Sequence, residues 1–255
     1  MTALTKNTTY YTHPTGNPTR RGGSLILRSV HVFVGALCFF HDDQVAASPR
    51  LMPARSLNNS NTPAQGGPLQ VPGGDIDGTI RVIAKMPAVQ FYMPTSGGGS
   101  AAAVTIAYAA TYVRVIVTIG SGTTALTAYQ ALRAHADAMR FIDVALAGTG
   151  ASAAVAITAT AVPFIRVAGF AKKEWDNSGA STDLAVTEII ELDTGKCFMA
   201  NDATDPASVS DVGGMVSVID DQTIARTQVP LQLPAFLFDW LTTQAGASGP
   251  CINIP

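Results

Sequence analysis

Alternation of apolar and polar positions dominates the chain. In YVRVIVTI, residues 112–119, Val113, Val115, Val117 and Ile119 fall at every second place, the period of a half-buried strand. Thr79 to Ala84, Ala88 to Met93 and Val104 to Tyr108 read as shorter strands, with Pro87 between the first two and a flexible SGGGS loop at 96–100. Upstream, LILRSVHVFVGALCFF at 25–40 is rich in β-branched and aromatic residues and is interrupted by Gly35. It predicts two strands around a kink, closed by a turn at HDDQ. One helix is expected over Thr124 to Arg140. There Ala125, Tyr129, Leu132, Ala136 and Met139 recur at spacings of four and three, Thr123 or Thr124 caps the start, and Arg133 and Asp137 lie one turn apart on the other side. FIDVALAG continues as a strand, so 112–148 reads as a strand–helix–strand unit.

From Ala161 onward every signal is β. VPFIRVAGFAKK, LAVTEIIEL, CFMA, MVSVID, TIAR, AFLFDW and CINI are separated by turn-rich stretches, and DTGK reads as a tight hairpin turn. Short strands at such spacing predict a small barrel or sandwich. Residues 49–75, crowded with Pro, Gly, Asn and Ser, read as a linker at a domain boundary.

Composition narrows the picture. Charged residues are only 13% of the chain, against about 25% in an average soluble domain, which suits a subunit packed against others. The net charge of −2 leaves no electrostatic footprint for nucleic acid. Residues 1–23 hold Lys6, Arg20 and Arg21 and no acid. They read either as a disordered tail or as an extended N-terminal arm that orders against a neighbouring subunit. Cys38, Cys197 and Cys251 are far apart, which argues against zinc or a disulfide framework and fits a reducing cytoplasm. No apolar leader follows Met1, and Arg114 cuts the most apolar stretch, so neither a secretory signal nor a membrane partner is expected.

The order of motifs after Val167 is more specific. VAGFAKKEWDNSGA is followed by LAVTEIIELDTGKCFMAND, SVSDVGGMVSVIDDQTIART, LPAFLFDW and GPCINIP. This series resembles a family of small β-barrel phage virion proteins described as capsid decoration or cement proteins. Asp176-Asn177, Ala200-Asn201, Asp211-Val212-Gly213 and Asp220-Asp221-Gln222-Thr223 stand at the matching places. The family's opening strand is matched far upstream by VGALCFFHDDQVAASP at 34–49. The resemblance implies a mainly β chain: a small β-barrel or sandwich over 24–49 and 161–255, split by an inserted α+β domain at 50–160. The insertion itself is similar to strand–helix–strand segments of several phage structural proteins. The resemblance further implies a homotrimer that binds the major capsid protein on the outer head surface. Assembly in the bacterial host cytoplasm, without cofactor or nucleic acid, is implied as well. Two other readings are a tail-tube, collar or baseplate subunit, and a virion-displayed carbohydrate-binding adhesin.

Candidate chemistry is sparse. Asp176, Asn177, Asp211 and Gly213 are turn formers, and Asp220, Asp221, Gln222 and Thr223 are suited to satisfying backbone donors at a tight corner. The acid pairs Asp42-Asp43 and Asp220-Asp221 would point to opposite faces of a strand and read as solvated turns, not as calcium ligands or an acid–base pair. His31, His41 and His135 lack ligand spacing. GTGASA at 148–153 has the form GxGxxA but no helix pattern after it, and Gly120 to Thr123 reads as a plain loop leading into the helix. Trp175 and Trp240 are candidates for anchoring the barrel core or a subunit contact, or for stacking on a sugar. No catalytic constellation is present, so no enzymatic activity is expected.

Overall fold

Strand alternation and one broken helix account for most of the second of two compact units into which the chain divides. In this computed structural model, residues 5, 19–21, 25–44, 49–55, 61–72, 77–187, 190–227, 236–242 and 248–254 are described. One unit comprises Met1–His41, Ser48–Ser56 and Arg166–Pro255, and the other Asp42–Ala47 and Leu57–Ile165. The sequence places these boundaries at 49/50 and 160/161. The chain is mainly β, with two α-helices among the described residues.

The second unit contains β1 (Leu69–Val71), β2 (Ile80–Ala84), β3 (Val89–Met93), β4 (Ala102–Tyr108), β5 (Val113–Ile119), α1 (Ala125–Ala134), α2 (Ala136–Phe141), β6 (Ile142–Leu146) and β7 (Ile157–Ala161). Four strands form a sheet in the order β7-β3-β5-β4. Its β3 and β5 are parallel, while β4 runs antiparallel to β5. Val89, Phe91 and Met93 alternate inward from β3, and Val115, Val117 and Ile119 from β5. The opposite face of β5 carries Arg114, whose guanidinium donates to Gln90 Oε1 and lies over the Tyr112 ring. A separate antiparallel set, β1-β2-β6, contributes Ile80, Val82, Ile142 and Val144 to the same core, which Ala125, Ala128 and Leu132 complete from α1.

The helix differs from expectation in one instructive way. His135 leaves helical geometry, with φ −90° and ψ 98°, and its Nδ1 accepts the Ala138 amide. It therefore closes α1 and caps α2, the role usually taken by Ser, Thr, Asp or Asn. The break resets the helical phase. Ala138 is buried and Ala136 exposed, and Arg133 pairs with Asp143 on β6 while Asp137 pairs with Arg140. The flanking strands β5 and β6 lie in different strand sets, so 112–148 is not a strand–helix–strand unit of a single sheet. Thr124, not Thr123, is the N-cap, and its hydroxyl accepts the Thr127 amide.

In the first unit, the sheet order is Thr19–Arg21, Glu191–Asp193, Phe164–Ala171, Leu37–Asp42, Arg50–Pro53, Leu25–Ile26 and Leu184–Ala185. Residues 49–75 are thus not a structureless linker. Arg50–Pro53 pairs antiparallel with Leu37–Asp42, burying Arg50, Leu51 and Met52, and Leu69–Val71 is a strand of the other unit. The 25–40 stretch forms three strands, not two, since His31–Val32 intervenes.

The barrel expectation is corrected. Among the described residues none of the sheets closes. The six-stranded sheet runs Gly195–Phe198, Ser248–Ile254, Phe236–Thr242, Met215–Val218, Thr223–Ala225 and Ala200–Asn201, and its two end strands do not meet. The predicted hairpin at DTGK explains why. Glu191–Asp193 pairs with 19–21 and 164–171, whereas Gly195–Phe198 pairs with Ser248–Ile254. Strands on either side of Thr194 thereby feed different sheets.

The solvent-free Leu132 side chain gives a direct test of the second core. Leu132→Ala is expected to cost about 2–5 kcal/mol, read as a lower urea midpoint. His135→Ala, which removes only a cap, is expected to cost about 0.5–2 kcal/mol.

Candidate functional site

The residues that carry the motif resemblance form a set of backbone ties in the first unit. Asp176 pairs in register with His31, and Trp175 with Val32. The Asp176 carboxylate accepts the Ser178 hydroxyl at 2.7 Å and the Ser178 amide at 3.0 Å, which hold it below the usual carboxylate range. Asn177 is buried. Its Nδ2 donates to Leu27 O and Thr182 O at 3.0 and 3.1 Å, and its amide donates to Val30 O. One side chain thus fastens the 176–182 turn to a segment about 150 residues earlier. His31 is stacked on Phe33 with 3.9 Å between ring centroids, and it lies 2.7 Å from Glu174 and 3.6 Å from Asp176.

Asp220, Asp221 and Thr223 are buried, and Gln222 is half-buried. This corrects the reading of Asp220-Asp221 as solvated turn residues; Asp43 is buried too. The corner folds inward because its backbone is used on several sides. Asp220 Oδ1 accepts the Gln222 amide, Asp221 O accepts the Leu37 amide, Gln222 O accepts the Ala200 amide, and Asp220 bridges Arg55 through its backbone. Burial, with the Asp221 carboxylate nearby, pushes the Cys38 thiol well above its ordinary value, so it is a poor nucleophile. All three cysteines are buried, and none is in a disulfide among the described residues.

The 201–214 loop is tied in the same way. Asn201 exchanges side-chain bonds with Ala207 N and O, and Asp202 accepts the amides of Thr204 and Asp205. Asp211 accepts the Ser208 amide and hydroxyl, which lower its pKa. Gly213 takes φ +85° in the turn that follows, a conformation glycine adopts without steric cost.

Of the proposed contact residues, Trp175 takes the core-anchoring alternative. Trp175 is only 6% exposed, so its ring is enclosed within the chain and is not presented to a neighbour or a sugar. Trp240 lies on Phe236–Thr242, and its side chain is outside the described residues, as is Lys6. Arg20 and Arg21 belong to Thr19–Arg21, which pairs with Glu191–Asp193 of the same chain. At these residues the N-terminal segment is a strand of its own sheet, not a free arm.

Two arrangements were not legible beforehand. In the first, Arg50 is 2% exposed and His41 fully buried. Arg50 Nη2 donates to His41 Nδ1 at 3.0 Å and Nη1 reaches Asp183 at 3.4 Å, while Asp183 also accepts the Arg28 amide and Nε. In the second, the GTGASA loop encloses an anion of its own. Asp77 accepts the amides of Thr149 and Gly150 and the hydroxyls of Thr149 and Ser152. A Cβ at Gly148, where φ is +62°, would fall 2.0 Å from Asp77 Oδ1. The GxGxxA spacing therefore serves a carboxylate within the chain. These amide bonds, that of Thr149 foremost, draw the Asp77 carboxyl below its usual range.

Among the described residues no group of three or more His, Cys, Asp or Glu is placed to hold a metal, and no helix is long and apolar enough to cross a membrane. No protein-family model, curated protein or solved structure matches the chain.

Two predictions follow from the ties. Asn177→Ala strands the buried Leu27 carbonyl and is expected to lower unfolding free energy by about 1–3 kcal/mol in urea titration. Asp77 has a folded-state pKa below its unfolded one, so its stabilisation is full above the ordinary Asp value of about 3.9 and fades as pH falls through the folded value. Asp77→Asn is expected to melt below the parent at neutral pH, with the gap narrowing toward strongly acidic pH in a calorimetric series.

Proposed function

We propose that this chain is a structural protein of a bacteriophage particle, a decoration or cement protein that binds and stabilises the outer surface of the icosahedral head. The observation that carries this reading is the use made of the motif residues. Asp176, Asn177, Asn201, Asp211 and Asp220 each spend their polar side-chain atoms on nearby backbone or turn hydroxyls. A subunit that resists internal pressure benefits from loops locked by side-chain bonds, and its work is done by surface area. Binding that exists only on the assembled shell stabilises the shell by mass action. The partners in this reading are the major capsid protein and further copies of the chain, in the trimer that the resemblance implies, assembled in the host cytoplasm. The low charge content of 13% supports extended subunit contact. The adhesin reading has lost support, since Trp175 is buried.

Cryo-electron microscopy of the particle encoded with this gene tests the proposal. Density for both units on the outer head surface, at junctions between capsid subunits, is the expected result. Particles that carry the chain only in the tail, or lack it, would refute the head assignment.

A further inference from the structure

The four-stranded sheet of the second unit has two unlike edges. At one, β7 pairs with β3 through a register shift between Ile157 and Thr160, an irregularity of the kind that protects edges from pairing. At the other, β4 runs seven residues, AAVTIAY, in unbroken antiparallel register with β5. Among the described residues β5 is its only strand partner. The stretch from Ala101 to Tyr112 has no charge, proline or glycine, so the strand itself carries none of the residue types that usually guard an open edge.

The hydrogen-bond pattern identifies the free groups. The amides of Val113 and Ile119 donate toward the β3 side, to Ala88 O and Pro94 O, and the Ala109 amide donates to Tyr112 O. Even-numbered residues of β5 therefore bond β4, through Ala103, Thr105 and Ala107 by the observed register. The backbone groups of Ala102, Val104, Ile106 and Tyr108 point outward. They are spaced evenly about Thr105.

We propose that this edge pairs with the same edge of a second copy of the chain, antiparallel about a two-fold axis through Thr105. In that register Val104 faces Ile106 and Ala102 faces Tyr108, so every outward amide and carbonyl of one strand meets its complement on the other. Thr105 faces its own copy as a non-hydrogen-bonded pair, and Ala103 faces Ala107. The commitment to a second copy rests on this symmetry and on neutrality. The outward positions map onto themselves under the two-fold, the facing side chains other than Tyr108, which meets the small Ala102, are small or β-branched, and no charge repels an identical strand or selects a charged one. Thr105 is exposed on the face away from the core, while Val104 and Ile106 are half-buried against it. The pairing is independent of any capsid: it operates in solution whether or not the chain binds a shell.

Cysteine cross-linking and sedimentation of the full chain test the pairing. Non-hydrogen-bonded antiparallel neighbours have Cα atoms about 4.5 Å apart, within disulfide reach, and the three native cysteines are buried. Thr105→Cys is expected to give a disulfide-linked dimer under mild oxidation. Ala103→Cys alone is expected to give little, and Ala103→Cys combined with Ala107→Cys to restore it. Thr105→Lys leaves the fold intact by circular dichroism, since the side chain points to solvent, but sets two like charges face to face. It is expected to weaken self-association by about tenfold or more. Failure of Thr105→Cys to cross-link, cross-linking of Ala103→Cys at the same rate, or self-association unchanged by Thr105→Lys in a folded protein would each overturn the proposal.

Discussion

A guanidinium removed from water has to be surrounded by acceptors, and the first unit is arranged to do this for Arg50. Its neighbours are His41, nine residues earlier on the paired strand, and Asp183 from the far side of the second unit's sequence, with Arg28 donating to that carboxylate. Breaking a buried pair of this kind costs about 3–5 kcal/mol, a large share of a typical domain's net stability. The geometry fixes the register of Arg50–Pro53 against Leu37–Asp42, because a slip of one residue would turn the guanidinium to the opposite face. With that register set, the Leu37 amide meets Asp221 O, and the C-terminal sheet is joined to the same strand.

A second theme is substitution of side chains for backbone. Asn177, Asn201, Asp202, Asp211 and Asp77 each hold a turn whose amides or carbonyls have no strand partner. The described part of the chain has many strands of two to four residues, too short to order their loops through ladders alone. Asx and Ser/Thr contacts supply that order locally. The low charge content is consistent with this economy, since much of the carboxylate inventory serves as hydrogen-bond acceptors.

Legibility in the sequence followed the range of each interaction. The inward faces of β3 and β5 were readable because strand alternation is local, and the helix start at Thr124 because capping is local. The break at His135 was hidden: Ala136 and Met139 continue the spacing of four and three, and histidine is an uncommon cap. Arg50–Pro53 was obscured by its flanking Pro and Asn residues, although Leu51 and Met52 carried an apolar signal. DTGK had the chemistry of a hairpin, but the partner of Gly195–Phe198 is Ser248–Ile254, and no local rule names a partner that far away. The role of Asp77 was invisible for the same reason, since its loop lies 72 residues on. Of the motif residues, their turn character was readable. The burial of Asp220 and Asp221 was not, because it depends on Leu37 and Arg55 arriving from the other end of the chain.

The discontinuity of the first unit sets an order of events on the ribosome. By the time Ile165 has left the exit tunnel, the second unit has its whole sequence and is free to fold, while the first still lacks Arg166–Pro255. At about 5–20 residues per second, that remainder takes on the order of 5–20 s to emerge. Throughout this interval Leu37–Asp42 has no Phe164–Ala171 strand beside it, and Arg50 has no Asp183. At that stage the second unit has its whole sequence, while the first has only its segments before Arg166 and an apolar, half-paired sheet. That sheet has to be shielded from other apolar surfaces until Arg166–Pro255 has emerged.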